Sequence, residues 1–147
     1  MKALIQRVTK TEVFIEGNLY SKIGKGCLVL LGVEKGDTEK DITYIGKKVA
    51  QLRIFDDASH KMNLSVKDIN GEILVVSQFT LSAQCRKGNR PSFDCAEEQP
   101  RAEVLYRKII DNLKNHNLRV QTGRFGAYMQ VHLINDGPVT ILLDSKQ

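Results

Sequence analysis

The chain has 147 residues, of which 41% are hydrophobic and 27% charged, and it carries a net charge of +5. That length suits one domain, 1–147, with a real core, and the composition excludes a disordered or fibrous chain. No apolar run approaches the ~20 residues of a membrane helix, and Met1-Lys2-Ala3-Leu4-Ile5-Gln6-Arg7 turns polar too early for a signal peptide, so a cytoplasmic protein without membrane contact is expected.

In chain order, Lys2 to Thr9 alternates imperfectly and holds Arg7 among apolar neighbours. Val13-Phe14-Ile15, the turn signal Gly17-Asn18, and Leu19 to Ile23 predict a hairpin. Gly24 and Gly26 bracket a turn into Cys27-Leu28-Val29-Leu30-Leu31, short enough for a central strand. Asp37-Thr38 supplies an N-cap, and Ile42, Ile45, Val49 and Leu52 recur at helical spacing, which predicts an amphipathic helix over 38–51. Arg53-Ile54-Phe55 reads as a short strand and 56–60 as loop. Residues 65–70 are expected to pair through Asn70-Gly71 with the apolar run that starts at Ile73.

Residues 82–100 are polar, basic and long for a connection inside a compact domain, and loops of that length commonly carry function. Pro100 opens a second helix with Ala102, Leu105, Ile109 and Leu113 along one face, ending near Asn115. Arg119–Gln121, Tyr128–Ile134 and Val139–Leu143 read as strands. A β-rich sheet with two helices packed on it follows.

Two segments stand out. Ile73-Leu74-Val75-Val76 begins as a buried strand, but Ser77, Gln78 and Thr80 bring two hydroxyls and an amide to its end, beside Phe79. An unpartnered polar group there costs roughly 1–3 kcal/mol, so these groups either bond neighbouring backbone or serve a site. Asn135-Asp136-Gly137-Pro138-Val139-Thr140 sits between two apolar runs, either as a plain β-turn or as a special backbone segment, since a bond to proline can be cis and glycine admits close approach.

The side chains offer no conventional catalytic set. His60 and His116 fall in loop or helix-end contexts and His132 on a strand face; no GxSxG elbow, HExxH or paired-carboxylate spacing occurs. Cys27, Cys85 and Cys95 are an odd count without CxxC spacing, which indicates neither a disulfide framework nor a zinc site; Cys27 reads as core and the others as loop thiols. No metal and no cofactor is expected. Between Arg86 and Arg124 nine Lys/Arg face five Asp/Glu, an excess that suits a phosphate-bearing partner such as RNA, or a plain solvated surface.

Ser77-Gln78-Phe79-Thr80-Leu81 and Asn135-Asp136-Gly137-Pro138-Val139-Thr140 resemble the two signature motifs of the D-aminoacyl-tRNA deacylases, also described as D-tyrosyl-tRNA deacylases. The likeness continues in Ala3–Val8, Gly32-Val33-Glu34, Arg53-Ile54-Phe55, Lys61–Leu64, Arg90-Pro91-Ser92-Phe93, Gln121–Phe125 and Met129-Gln130-Val131. The resemblance implies an α+β fold in which antiparallel-rich β-sheets form a barrel-like core with two packed helices. It also implies a homodimer that hydrolyses the ester between a D-amino acid and the 3′-terminal adenosine of tRNA.

On that resemblance, Gly137 and Pro138 form a Gly-cisPro segment that enters the partner's pocket, binds the amino group through carbonyls and excludes an L side chain. Glycine esters, having no side chain to exclude, should leak through. Arg7 matches the arginine that buttresses this segment. The catalytic residues implied are Ser77, Gln78, Phe79 and Thr80, with backbone amides around Phe79 and Thr80 as oxyanion donors and the ribose 2′-hydroxyl assisting proton transfer. Thr80 as a covalent nucleophile is the competing scheme. Phe125 and Met129 are candidates for packing on the terminal adenine, and Arg86, Lys87 and Arg90 for meeting phosphates; core and solvated surface are their plain alternatives. Two other classes stay open: a module that holds aminoacyl-tRNA without hydrolysing it, and a Thr-dependent esterase of small acyl esters.

Overall fold

A computed structural model describes residues 1–86 and 88–147; Lys87, named above with the basic loop, lies outside the described residues. In chain order the elements are β1 (Lys2–Ile15), β2 (Asn18–Ile23), β3 (Gly26–Gly32), α1 (Glu39–Gln51), β4 (Phe55–Asp56), β5 (Met62–Leu64), β6 (Glu72–Ser77), a short 3-10 helix (Phe79–Ser82), α2 (Arg101–Asn115), β7 (Arg119–Thr122) and β8 (Gln130–Asp144). The expected fold class holds: one mixed sheet curls toward a barrel, and both helices pack on it. Strand order is β2-β1-β3-β6-β7, with β8 on the other edge of β1, and β4-β5 form a separate small ribbon.

β1 pairs antiparallel with β2, β3 and β8, whereas β3-β6 and β6-β7 are parallel. Each parallel pair is joined through a helix, as a crossover connection requires. Central strands covered on both faces read as unbroken apolar runs, which is why Cys27–Leu31 and Ile73–Val76 lack alternation. Ser21 Oγ donates to the Thr122 carbonyl at 2.8 Å, drawing β2 toward β7 and curling the sheet.

Two cores result. Ala3, Ile5, Val29, Ile73 and Val75 face α1 and α2, while Val8, Val13, Leu28, Leu74 and Val76 fill the inside of the curl with partly buried Met129 and Val131. β1 serves both cores because its pairing with β8 shifts between Gln6 and Val8 and again between Val8 and Lys10. A one-residue slip exchanges the faces of a strand, so odd positions face the helices before the bulge and the curl's interior after it. The imperfect alternation of Lys2–Thr9 is this bulge.

α1 begins as expected at Thr38, which closes a capping box with Asp41. α2 follows Pro100, and both the Gln99–Pro100 and Gly137–Pro138 peptides are cis. Four expectations need correction. The Arg53–Phe55 strand lies at Phe55–Asp56 instead. Residues 65–70 form no hairpin with β6: Ser65 and Asp68 bond reciprocally, with Ser65 N–H to Asp68 Oδ2 at 2.8 Å, and close a turn in which Asn70 has φ +51°. Local side-chain bonds of this kind compete with a ladder and prevail. The segment after Ser77 is a 3-10 helix rather than strand. Finally, Tyr128–Ile134 and Val139–Leu143 are not two strands about a plain turn, because β8 is one strand that pairs with β1 on both sides of residues 136–139, which bulge out of the ladder.

Candidate active site

β6 emerges from the core at Ser77, and the chain then tightens into the Phe79–Ser82 helix instead of extending the ladder. The Gln78 N–H donates to the Leu31 carbonyl at 2.7 Å, which pins the exit point to β3. Gln78 Nε2 donates to Thr80 Oγ1 at 2.5 Å, so the hydroxyl oxygen accepts from its neighbour's amide. The amides of Phe79 and Thr80, by contrast, reach no protein acceptor among the described residues. These two unpaired N–H groups sit at the opening turn of a helix, where donors without partners collect.

They border a pocket of about 680 Å³ at the mouth of the curled sheet. Its walls bring together Ser77, Gln78, Phe79 and Thr80 with Phe125 and Met129. Phe125 lies 5.4 Å from the Tyr106 ring and packs on the helix-facing core, while Met129 packs on the other core. Both are half-buried, so they close the cores and line the pocket at once. Gly123 lets Met129 lie there: a Cβ at that position would fall 2.8 Å from Met129 Sδ.

Sequence reasoning missed Glu97 and Gln99, which line the same pocket from the 82–100 loop. The loop is anchored by Glu97 N–H to the Val33 carbonyl at 3.0 Å, and Phe93 meets Phe79 edge-on at 5.0 Å. Glu97 is held by Arg101 at 2.5 Å, which satisfies its carboxylate. No periodic signal marks an irregular loop, so nothing in the sequence singled these residues out. Arg86 and Arg90 border other recesses and not this pocket.

Arg7, Gly137 and Pro138 form a second assembly that does not reach the pocket of its own chain. In the β1–β8 ladder Gln6 pairs with Thr140 and Val8 with Asn135, so residues 136–139 all lie opposite Arg7. The guanidinium, 8% exposed, fills the gap: Nε donates to the Asp136 carbonyl at 2.9 Å and Nη1 to the Ile54 carbonyl at 2.7 Å. Asp56 and Asp136 carboxylates lie 3.4 and 3.5 Å away, which keeps the buried charge paired. Asn135 clamps the base of the protrusion, accepting from Val139 N–H at 2.8 Å and donating to Thr140 Oγ1 at 3.0 Å. Gly137 has φ +142°, and a Cβ there would meet its own neighbour Val139 at 2.7 Å. Both Gly137 and Pro138 are exposed.

Cys27 sits opposite Arg7 across β1 and β3. Burial pushes its thiol up to about 12 despite the opposing pull of that guanidinium, which leaves it an inert core residue.

The model for the family described as D-Tyr-tRNA(Tyr) deacylase matches residues 4–144. A D-aminoacyl-tRNA deacylase of Thermosipho africanus is 56% identical over 147 residues, covering 100% of this chain and 99% of that protein. One of Thermodesulfovibrio yellowstonii is 52% identical over 146 residues, covering 99% and 100%. Among solved structures, a c-Myc DNA Unwinding Element Binding Protein superposes with a TM-score of 0.91 at 46% identity, over 98% of each chain. A probable eukaryotic D-amino acid tRNA deacylase superposes with a TM-score of 0.83 over 97% of each chain, at 14% identity, and so shares the fold. Agreement of this kind over the full length, with a family model matching residues 4–144 and relatives 56% and 52% identical, places the chain in the D-Tyr-tRNA(Tyr) deacylase family of enzymes.

Proposed function

We propose that residues 1–147 act as one deacylase domain that hydrolyses D-aminoacyl-tRNA to the free D-amino acid and tRNA, in the cytoplasm where charged tRNA is used. The observation that carries this reading is the pair of unpaired amides at Phe79 and Thr80 on a pocket whose one carboxylate among the described residues, Glu97, is tied to Arg101. An aminoacyl ester is already activated, so attack by water needs chiefly a donor for the developing oxyanion. Water adds to the ester carbon, the oxyanion rests on the two N–H groups, and collapse expels the ribose 3′-oxygen, which takes its proton through the adjacent 2′-hydroxyl. Ser77 and Gln78 orient the ester, and Phe125 and Met129 hold the terminal adenine. Thr80 Oγ1 has no base beside it, which disfavours the covalent scheme.

Chirality is read by a second copy of the chain. β8 pairs on one edge alone among the described residues and exposes Ile134 (59%) and Leu142 (57%). A long open edge with apolar side chains calls for cover, and a homodimer supplies it. Gly137 and Pro138 of one copy then enter the pocket of the other, where their carbonyls take the amino group and leave no room for an L side chain. Glycine charged to tRNA is accepted for the same reason, having nothing to exclude.

The test is release of amino acid from D-Tyr-tRNA and L-Tyr-tRNA side by side, with a chelator present. Hydrolysis of the D ester alone is expected. Binding of tRNA without turnover of either ester would replace the enzyme reading with that of a holding module.

A further inference from the structure

Behind the wall formed by Phe125 lies a second groove, of about 460 Å³, between α2 and the ends of β2 and β7. Phe125 lines both hollows and so forms the wall they share. Tyr20, 44% exposed, stands in this groove with the Arg124 guanidinium carbon 5.1 Å from its ring centroid. The adjoining Ser21–Thr122 bond holds the two strand ends together and fixes this pair in place. Lys114 borders the groove from α2. Arg124 and Lys114 lie within ion-pair distance of no carboxylate among the described residues, whereas Arg107 is paired with Glu103 at 2.6 Å and Asp111 is the remaining acid of the groove.

An exposed aromatic ring under a guanidinium, with uncommitted cations and no enclosing cavity, is the chemistry of a single-stranded nucleic-acid platform. Resting on the aminoacyl-tRNA reading above, we propose that this groove receives the nucleotide preceding the terminal adenosine, its base stacked on the Tyr20–Arg124 pair and its phosphate against Lys114. The polynucleotide must leave the pocket over one of its walls, and the Phe125 wall has this platform on its far side. The 3′ end of tRNA is single-stranded, so its bases are free to stack. Stacking is tolerant of sequence elsewhere in the molecule, which suits an enzyme that meets many tRNAs with a common end.

The test is an NMR titration of wild type, Tyr20→Ala and Lys114→Gln with uncharged CCA trinucleotide and, separately, with adenosine. Wild type should bind CCA at least about fivefold more tightly than adenosine, the low end for one base stack. Both variants should lose that preference while keeping their affinity for adenosine and their melting temperature. Equal wild-type affinity for the two ligands, no measurable binding of CCA, or a preference intact in the variants would overturn the proposal. Hydrolysis of D-Tyr-tRNA on the same preparations reports separately on the deacylase reading: a CCA preference without turnover would strike the activity and leave the groove standing.

Discussion

Thr80 carries a hydroxyl into the pocket, where it accepts from Gln78 Nε2, and the backbone N–H groups of Phe79 and Thr80 reach no protein acceptor among the described residues. In the proposed reaction catalysis falls to main chain at Phe79 and Thr80, and one residue separates main chain from side chain. Phe79→Leu keeps the amide and should retain activity within about tenfold, whereas Phe79→Pro removes it and should cut kcat about 10²- to 10³-fold, the cost of losing one oxyanion donor. Proline suits the first helical position, and Gln78 before it (φ −142°, ψ 79°) lies outside the α region that a following proline disfavours, so both variants should fold. Equal kcat in the two would return the role to the ring. Ser77, Gln78 and Arg7 were legible because each is a polar residue within or at the end of a mostly apolar strand. Glu97 was not, since a carboxylate in a polar loop stands out from nothing.

The protrusion on β8 works as an element: Asn135 ties its base, Arg7 fills its underside, and Gly137 occupies backbone that other residues enter only with strain. Gly137→Ala adds about 1–3 kcal/mol of local strain at an exposed site. D-Tyr-tRNA hydrolysis should fall at least tenfold while the melting temperature drops by only a few degrees; a fully active variant would remove Gly137 from the mechanism. The cap of α1 gives a pH-dependent counterpart. Burial pushes the Asp41 carboxyl up, but hydrogen bonds from Ser145 and Thr38 outweigh it and bring it from 3.8 down to about 2. A lowered carboxyl stabilises the fold above its unfolded value and loses that contribution as pH falls through its folded one. Melts recorded from pH 5 down to pH 2 should therefore fall more steeply for wild type than for Asp41→Asn; identical slopes would show that this bond network contributes nothing. Both helices were readable from capping and period, because those signals are local. The parallel pairing of β3, β6 and β7 was not, since it is decided by which distant strands the two helices bring together, and the unbroken β8 was hidden because a bulge looks like a turn from one strand alone.

At the scale of the molecule, the pocket and the Gly137-Pro138 protrusion belong to one chain without meeting in it. In the proposed homodimer two copies close the open β8 edge and exchange protrusions, and each site would take its oxyanion donors from one chain and its chiral filter from the other. The amino-acid pattern marks both halves of such a site but carries no periodic signal for the second copy.

The most direct measurement of that arrangement is D-Tyr-tRNA hydrolysis by a heterodimer of Phe79→Pro and Gly137→Ala chains, co-expressed with different tags and purified through both. Each mutant homodimer should retain about a tenth of the wild-type rate or less. The heterodimer pairs one intact pocket with one intact protrusion and should recover about half the wild-type rate, as one restored site of two requires. A heterodimer no more active than its parents would contradict a site shared between chains.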